Sequence, residues 1–181
     1  MGTAVITGAG SGMGRATAEL YLERDWQVIA VDVSDNPGIE SANLHWVKAD
    51  VRNRESLEAA LAPAITAAGG QIDAVANIAG VFPPTTLETF TEENFRFIFD
   101  VNVLGVLNVT AASVPHMKPG SAVVNFASVD GFTVSRGQLL YGASKSAVIM
   151  ITKSLALELA PKGIRVNGIA PGWVATPGNA A

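Results

Sequence analysis

The chain contains no cysteine, which removes disulfides, thiolate nucleophiles and thiolate zinc sites together. Charge is scarce as well: Asp, Glu, Lys and Arg make up 15% of the residues, against roughly 25% in an average soluble protein. Much of the surface is therefore expected to lie under neighbouring layers or subunits, or the chain to be incomplete. Lys and Arg are scattered under a net charge of -4, so no nucleic-acid footprint is expected. The two histidines, His45 and His116, stand far apart without ligand-spaced neighbours, and no metal site is expected. No apolar run reaches the roughly 18 residues of a membrane span. The chain opens directly into a strand pattern at Thr3 with no export leader. Those two absences predict no membrane partner and a cytoplasmic protein. What is plentiful is apolar: 49% of the 181 residues are hydrophobic, which with the low net charge excludes intrinsic disorder. The length fits one domain, spanning residues 1–181.

Short apolar runs alternate with longer helical patterns. Strands are predicted at 4–7, 27–32, 44–48, 74–77, 122–126 and 165–169, mostly as continuous apolar stretches suited to burial on both faces of a parallel sheet. Helices are predicted at 12–24, 56–68, 92–103 running on toward His116, and 141–159, with Pro63 expected to kink or shorten the second. Alternating strands and helices imply an α/β, doubly wound parallel sheet of Rossmann type. The stretch 165–169 reads as a buried strand, yet the sequence stops soon after it at Ala181. Such a strand at a sheet edge presents unpaired backbone, so either something else covers it or more chain once followed.

The run Thr7-Gly-Ala-Gly-Ser-Gly-Met-Gly14 follows the first strand and opens the first helix. Gly8 suits the tight turn, Gly12 a close approach of backbone to a pyrophosphate, and Gly14 close helix–sheet packing. Free N–H groups around Ser11, Gly12 and Met13 and the positive end of the helix dipole then face an anion. Asp32 ends the second strand, 18 residues beyond Gly14. A carboxylate there accepts hydrogen bonds from ribose hydroxyls and repels a 2′-phosphate, which favours NAD over NADP; the alternative is a solvated strand-end Asp. Asp50 and Val51, after the third strand, suit adenine through polar and apolar contacts, or form a plain surface turn.

Tyr141 and Lys145 stand four residues apart at the start of the last helical pattern and so share one helix face. Acting near neutrality would require a tyrosine to lose roughly 3 units from a reference pKa of about 10, or ~4 kcal/mol. A nearby ammonium and an oxidised nicotinamide favour the phenolate in that sense. Alone, such a pair is usually a solvated helix face. Ser128, however, follows the fifth strand thirteen residues earlier, and Gly8, Asn77, Ser128 and Pro171 all follow strands. The carboxyl ends of the strands of a doubly wound sheet form its ligand crevice.

These residues, in this order, resemble the short-chain dehydrogenase/reductase family, in the subgroup with a TGxxxGxG turn and a YxxxK pair. The resemblance runs from Thr7–Gly14 through Asp32, Asp50-Val51, Asn77-Ile-Ala-Gly80, Asn102, Ser128 and Tyr141/Lys145 to the stretch from Pro171 to Thr176. It implies an NAD-dependent interconversion of a secondary alcohol and a ketone. In it Tyr141 is the general acid/base, Ser128 holds the substrate oxygen, and Lys145 lowers the tyrosine pKa and holds the nicotinamide ribose. Asn102 supports a water relay to Lys145, or else merely bends its helix. The resemblance also implies that Asn77, Ala79 and Gly80 shape the sheet and the ribose contacts. Pro171 and Gly172 turn the chain across the nicotinamide, with Val174 and Thr176 beside it. Phe82, Val129, Asp130 and Gln138 are expected to border the substrate, and Trp173 either flanks the nicotinamide or packs in its turn. Helices of this family pack against other subunits, so a homotetramer or dimer is expected.

Two departures stand out. The family more often doubles the asparagine at 77, where this chain has Asn77-Ile78, and it normally continues past Thr176 into a substrate-covering segment, a further helix and a seventh strand. Two other functions compete: a non-catalytic NAD-binding regulator, which predicts a damaged tetrad, and an extended-branch epimerase or dehydratase, which more often shows TGxxGxxG spacing.

Overall fold

The computed structural model describes residues 2–176. Six strands, β1 (Thr3–Thr7), β2 (Gln27–Asp32), β3 (Leu44–Lys48), β4 (Ile72–Asn77), β5 (Met117–Phe126) and β6 (Arg165–Ile169), form one sheet in the order β3-β2-β1-β4-β5-β6. Every pairing is parallel. The chain reverses its direction of growth between β1 and β4, and a doubly wound sheet opens its ligand crevice at that switch.

Alternation along the strands sends successive side chains to opposite faces. Register aligns Ile29, Val5, Val75, Val123 and Val166 across five strands. Those residues are buried in one core with Leu57 and Leu61 of α2 (Arg54–Ala67), Val109 of α4 (Gly105–Ser113) and Leu159 of α5 (Leu139–Leu159). Ala4, Ile6, Val28 and Ala30 face the other way, onto Ala18 of α1 (Gly12–Glu23). Both faces of the central strands are thus apolar, as continuous hydrophobic runs require.

The predicted strands are present, β4 and β5 beginning earlier than their apolar runs. The first half of β5 is Met-Lys-Pro-Gly-Ser, largely exposed, and carries no hydrophobic signal. The strand Arg165–Ile169 pairs with β5, but only Val166 of it is buried, against the expectation of a buried strand. Pro63 does not shorten α2, which runs unbroken from Arg54 to Ala67. Proline withdraws one N–H from the helix ladder; Ala59 and Pro63 are both exposed, so water can reach the freed carbonyl.

The helix predicted from Glu92 is not uniform. It starts as α3 (Glu92–Phe99), where the Thr91 hydroxyl accepts the Asn94 N–H at 3.1 Å, widens into a π-helical turn at Asp100–Leu104 and continues as α4. The whole rod Glu92–His116 is long and apolar enough to cross a membrane by length and composition, although Asp100, Asn102 and Asn108 interrupt its apolar run. Half of its apolar window is buried, and it turns Asn102 and Asn108 inward to hydrogen-bond the backbone of other segments, as a core helix does.

Candidate active site

The loop after β1 passes directly into α1. Gly8 adopts φ +69°, and a Cβ there would stand 2.9 Å from the Ala79 Cα; a Cβ on Gly14 would overlap the Gly8 carbonyl. Only glycine permits this double approach of loop, helix and β4 exit. Thr7 secures it from the side, its hydroxyl accepting the Ile78 and Ala79 N–H groups at 3.0 Å each. Ser11 at the N-cap is extended and makes no side-chain cap bond, so the first turn of α1 keeps its N–H groups for another partner.

Over that turn lies a cavity of about 480 Å³. It is lined by Gly8, Ser11, Gly12, Met13, Gly14, Asp32, Asp50, Val51, Ala79, Gly80 and Thr176, all singled out from the sequence. An uncapped helix start, a side-chain-free loop and a strand-end carboxylate fit a dinucleotide. The Asp32 carboxylate is already oriented: Oδ2 accepts the Gly10 N–H at 2.8 Å, and Oδ1 accepts the Ser34 N–H at 2.9 Å and its hydroxyl at 2.8 Å. Sequence reasoning overlooked Arg52 and Phe97 in the same wall. Arg52 binds Asp50 through Nε and a second nitrogen at 2.6 Å, and its guanidinium lies 5.5 Å from the Phe97 ring centre. That hydrogen bond holds the Asp50 carboxyl below its ordinary value and raises Arg52 above its own. Adjacency to Asp50-Val51 was the available clue.

On the other side of the switch, Ser128, Tyr141, Lys145 and Asn102 come together. The Tyr141 phenol lies beside Ser128, whose hydroxyl is placed to donate toward it and favour the phenolate, and Ser128 Oγ accepts the Asp130 N–H at 3.1 Å. Lys145 Nζ is 5.7 Å from the centre of the Tyr141 ring and donates to the Phe126 carbonyl at 2.7 Å. A Cβ on Gly80 would lie 3.4 Å from Asn102 Oδ1 and 3.5 Å from Lys145 Nζ, so Gly80 leaves the gap that both flank. Burial pulls Lys145 down to about 8. The Tyr141 phenol is pushed up rather than down, by burial and by the Asp130 carboxylate, with the Ser128 hydrogen bond opposing them. The depressed phenol expected from the Lys145 neighbour is therefore not the condition of the protein by itself, because the ammonium points at a backbone carbonyl and burial outweighs it.

Asn77 lies off the cavity wall. It pairs in register with Asn125, and its Nδ2 donates to Asn125 Oδ1 at 2.8 Å and Thr110 Oγ1 at 3.1 Å. Asn125 in turn donates to Thr152 of α5 at 3.0 Å. This buried chain pins α4 and α5 to the sheet, and neither Asn125 nor Thr152 carried a sequence signal apart from polarity inside an apolar run. The Pro171 carbonyl accepts the Val129 N–H at 3.0 Å, bringing the end of β6 beside Ser128. Gly172, Trp173 and Val174 are exposed, and Thr176 closes on the glycine loop, its Cγ2 3.6 Å from where a Gly12 Cβ would be. Phe82 meets Tyr141 edge-on with ring centres 6.1 Å apart, whereas Asp130 and Gln138 line a separate pocket of about 340 Å³.

Comparison with known proteins agrees with this geometry. The family described as short chain dehydrogenase matches residues 2–181. Oxidoreductase UcpA of Salmonella typhimurium is 40% identical over 97% of this chain and 70% of its own length. The 3-oxoacyl-[acyl-carrier-protein] reductase FabG of Thermotoga maritima is 38% identical over 96% of this chain and 74% of its own. Among solved structures, the 3-ketoacyl-(acyl-carrier-protein) reductase of Brucella melitensis complexed with NADH superposes with a TM-score of 0.90 and 31% identity, covering 97% of this chain and 77% of that one. The glycine cradle, the 3-2-1-4-5-6 sheet and the Ser–Tyr–Lys cluster thus occur together in an oxidoreductase fold that seats a nicotinamide cofactor, and the chain belongs to the short-chain dehydrogenase family.

Proposed function

We propose that the protein interconverts a secondary alcohol and a ketone with NAD as its cofactor. The observation that carries this reading is the Tyr141 phenol beside the Ser128 hydroxyl, with Lys145 one helical turn away, at the strand ends that adjoin the glycine cradle. The backbone of Ser11–Gly14 would hold the pyrophosphate and Asp32 the adenosine ribose, with Asp50 and Val51 at the adenine. Ala79 and Gly80 would stand at the ribose side, Pro171, Gly172, Val174 and Thr176 at the nicotinamide. When bound, the nicotinamide supplies the hydride acceptor or donor.

The chain's own residues handle the proton. Ser128 Oγ donates a hydrogen bond to the substrate oxygen and favours the charge that gathers there. Tyr141 Oη takes the hydroxyl proton during oxidation and returns it during reduction. Its phenolate needs positive charge to offset burial, and Lys145 together with an oxidised cofactor provides it. Lys145, at about 8, gains and loses a proton close to neutrality and so can refill the phenol from solvent, with Asn102 beside it across Gly80. What supports NAD over NADP is the Asp32 carboxylate in the cavity wall, which would repel a 2′-phosphate brought beside it, while Arg52, the cation in that wall, is engaged by Asp50. The exposed apolar residues Leu104, Leu107, Met150 and Leu157 on the long helices support packing against further copies, as a dimer or tetramer. A chain without cysteine suits the reducing cytoplasm.

The test is a panel of secondary alcohols (sugars, hydroxyacyl thioesters, diols, cyclic alcohols) offered with NAD and separately with NADP, following absorbance of the reduced cofactor. Turnover with NAD is expected, and Tyr141→Phe should lower it about a thousandfold while NADH binding persists. Undiminished turnover in Tyr141→Phe would refute the assignment of the proton to that phenol; faster turnover with NADP would refute the role given to Asp32.

A further inference from the structure

The segment leaving β4 runs along the mouth of the site and is tied down at both ends. At Val81 the Asn102 amide grips the backbone twice, Oδ1 accepting the Val81 N–H at 2.8 Å and Nδ2 donating to its carbonyl at 2.9 Å. The other end is Thr85, fully buried at 0% exposure. Its N–H donates to the Gly137 carbonyl at 2.7 Å, and its carbonyl accepts the Leu139 N–H at 3.2 Å. Its hydroxyl accepts the Leu140 N–H at 3.1 Å.

Leu139 and Leu140 are the first two residues of α5 and Tyr141 is the third. A helix start leaves its leading N–H groups without intrahelical partners, and the residue just ahead usually supplies a side-chain cap. Gln138, in that place, makes no side-chain cap bond. The helix that carries the candidate acid/base is instead capped from a segment 55 residues earlier. Ser144 closes the ring: Asn102 Nδ2 donates to its hydroxyl at 3.0 Å, and that hydroxyl donates to the Tyr141 carbonyl at 2.7 Å. Between the two tethers stand Phe82, whose ring touches Tyr141, and Pro83-Pro84, whose fixed φ angles stiffen the span.

We propose that Thr85 is a positioning residue for Tyr141: its hydroxyl, capping α5 from the β4 exit, holds the first helical turn so that the phenol stays against Ser128. A local cap would also start the helix, but it would leave the helix free of the Phe82 wall. The remote cap makes the phenol and that wall move as one body. The proposal rests on reading Tyr141 as the acid/base.

Thr85→Val keeps the branched shape, deletes the hydroxyl and strands the buried Leu140 N–H; Thr85→Ser restores the acceptor. The Tyr141 phenol is titrated by phenolate absorbance in the free protein, subtracting the Tyr141→Phe protein so that Tyr21, the other tyrosine, cancels. The groups around the phenol, Ser128, Asp130 and Lys145, are the same in each variant. Burial raises this phenol and outweighs the Ser128 hydroxyl that lowers it, so a loosened first turn that admits water brings the titration in Thr85→Val down on balance. Thr85→Ser is expected to return it to the wild-type value. NADH affinity, read by its fluorescence, is expected to stay within about twofold, because the cradle is not touched. A titration unchanged in Thr85→Val, a Ser variant no different from the Val variant, or an equal collapse of NADH affinity would each overturn the proposal. Should Thr85→Val not fold, the wild type decides. The Leu139 and Leu140 amides must exchange as slowly as the interior of α5, and exchange at the rate of a free helix end would overturn it. None of these readouts needs a substrate, so they stand apart from the turnover test of Tyr141 itself.

Discussion

The cofactor side of the crevice is made by eight consecutive residues, Thr7 to Gly14, and by the ends of β2 and β3, whereas the proposed acid–base side draws on four separated segments around Val81–Thr85, Asn102, Ser128 and Tyr141–Lys145. The first is shaped by backbone: glycines where side chains would collide, N–H groups at a helix start, one carboxylate aimed by Gly10 and Ser34. The second is shaped by buried side chains whose hydrogen bonds reach across the sheet. A backbone-built site should fail through sterics at a single position. A side-chain-built site should lose its alignment in smaller steps, leaving the cofactor side intact.

The largest effect is expected at Gly14. Gly14→Ala forces a methyl into the Gly8 carbonyl, and overpacking of this kind should cost about 3 kcal/mol or more. Denaturant melts should show that loss, with NADH affinity falling at least about tenfold because the loop itself must shift. Retention of wild-type NADH affinity would break the comparison.

Next is Lys145, held at about 8 against an ordinary 10.5. Between those values the unfolded chain binds a proton that the folded chain does not, so stability rises with pH through the window. Below it both states are protonated and the fold bears the full cost of the buried charge; above it the cost is gone. Relative to Lys145→Met, the wild type should therefore gain on the order of 3 kcal/mol across that interval, read from urea melts on either side. A constant difference between the two proteins would refute it.

Asn125→Ala should have the smallest effect of the three. It removes partners from Asn77 and Thr152, and Asn77 Oδ1 already lacks one. A loss of about 2 kcal/mol in stability is expected, with NADH affinity little altered. If NADH affinity fell as far as in Gly14→Ala, the two sides could not be called separately built.

The same division explains what could be read from residues alone. Gly8, Asp32 and Asp50 sit at fixed short distances from strand ends, so spacing located them, and all of them line the cavity. The strands Gln27–Asp32 and Leu44–Lys48 were bounded by their apolar runs. Thr85, Ser144 and Asn125 act through partners tens of residues away, and no local pattern distinguishes a buried threonine from a surface one. The state of Tyr141 without cofactor was not legible for a related reason: the sequence places Lys145 one turn away but does not show its ammonium turned to Phe126. Pro63 does not shorten its helix, because its cost depends on which helix face it occupies.

The wide turn at Asp100–Leu104 takes up one residue more than the α repeat on either side of it. Removing one residue there would restore ordinary α winding and leave the downstream helix in phase. Asn108 would then keep the Val51 carbonyl it holds at 2.8 Å, whereas Asn102, inside the turn, would lose its double grip on Val81. A single-codon deletion in these five positions would therefore strike the Val81 segment and spare the wall at Val51.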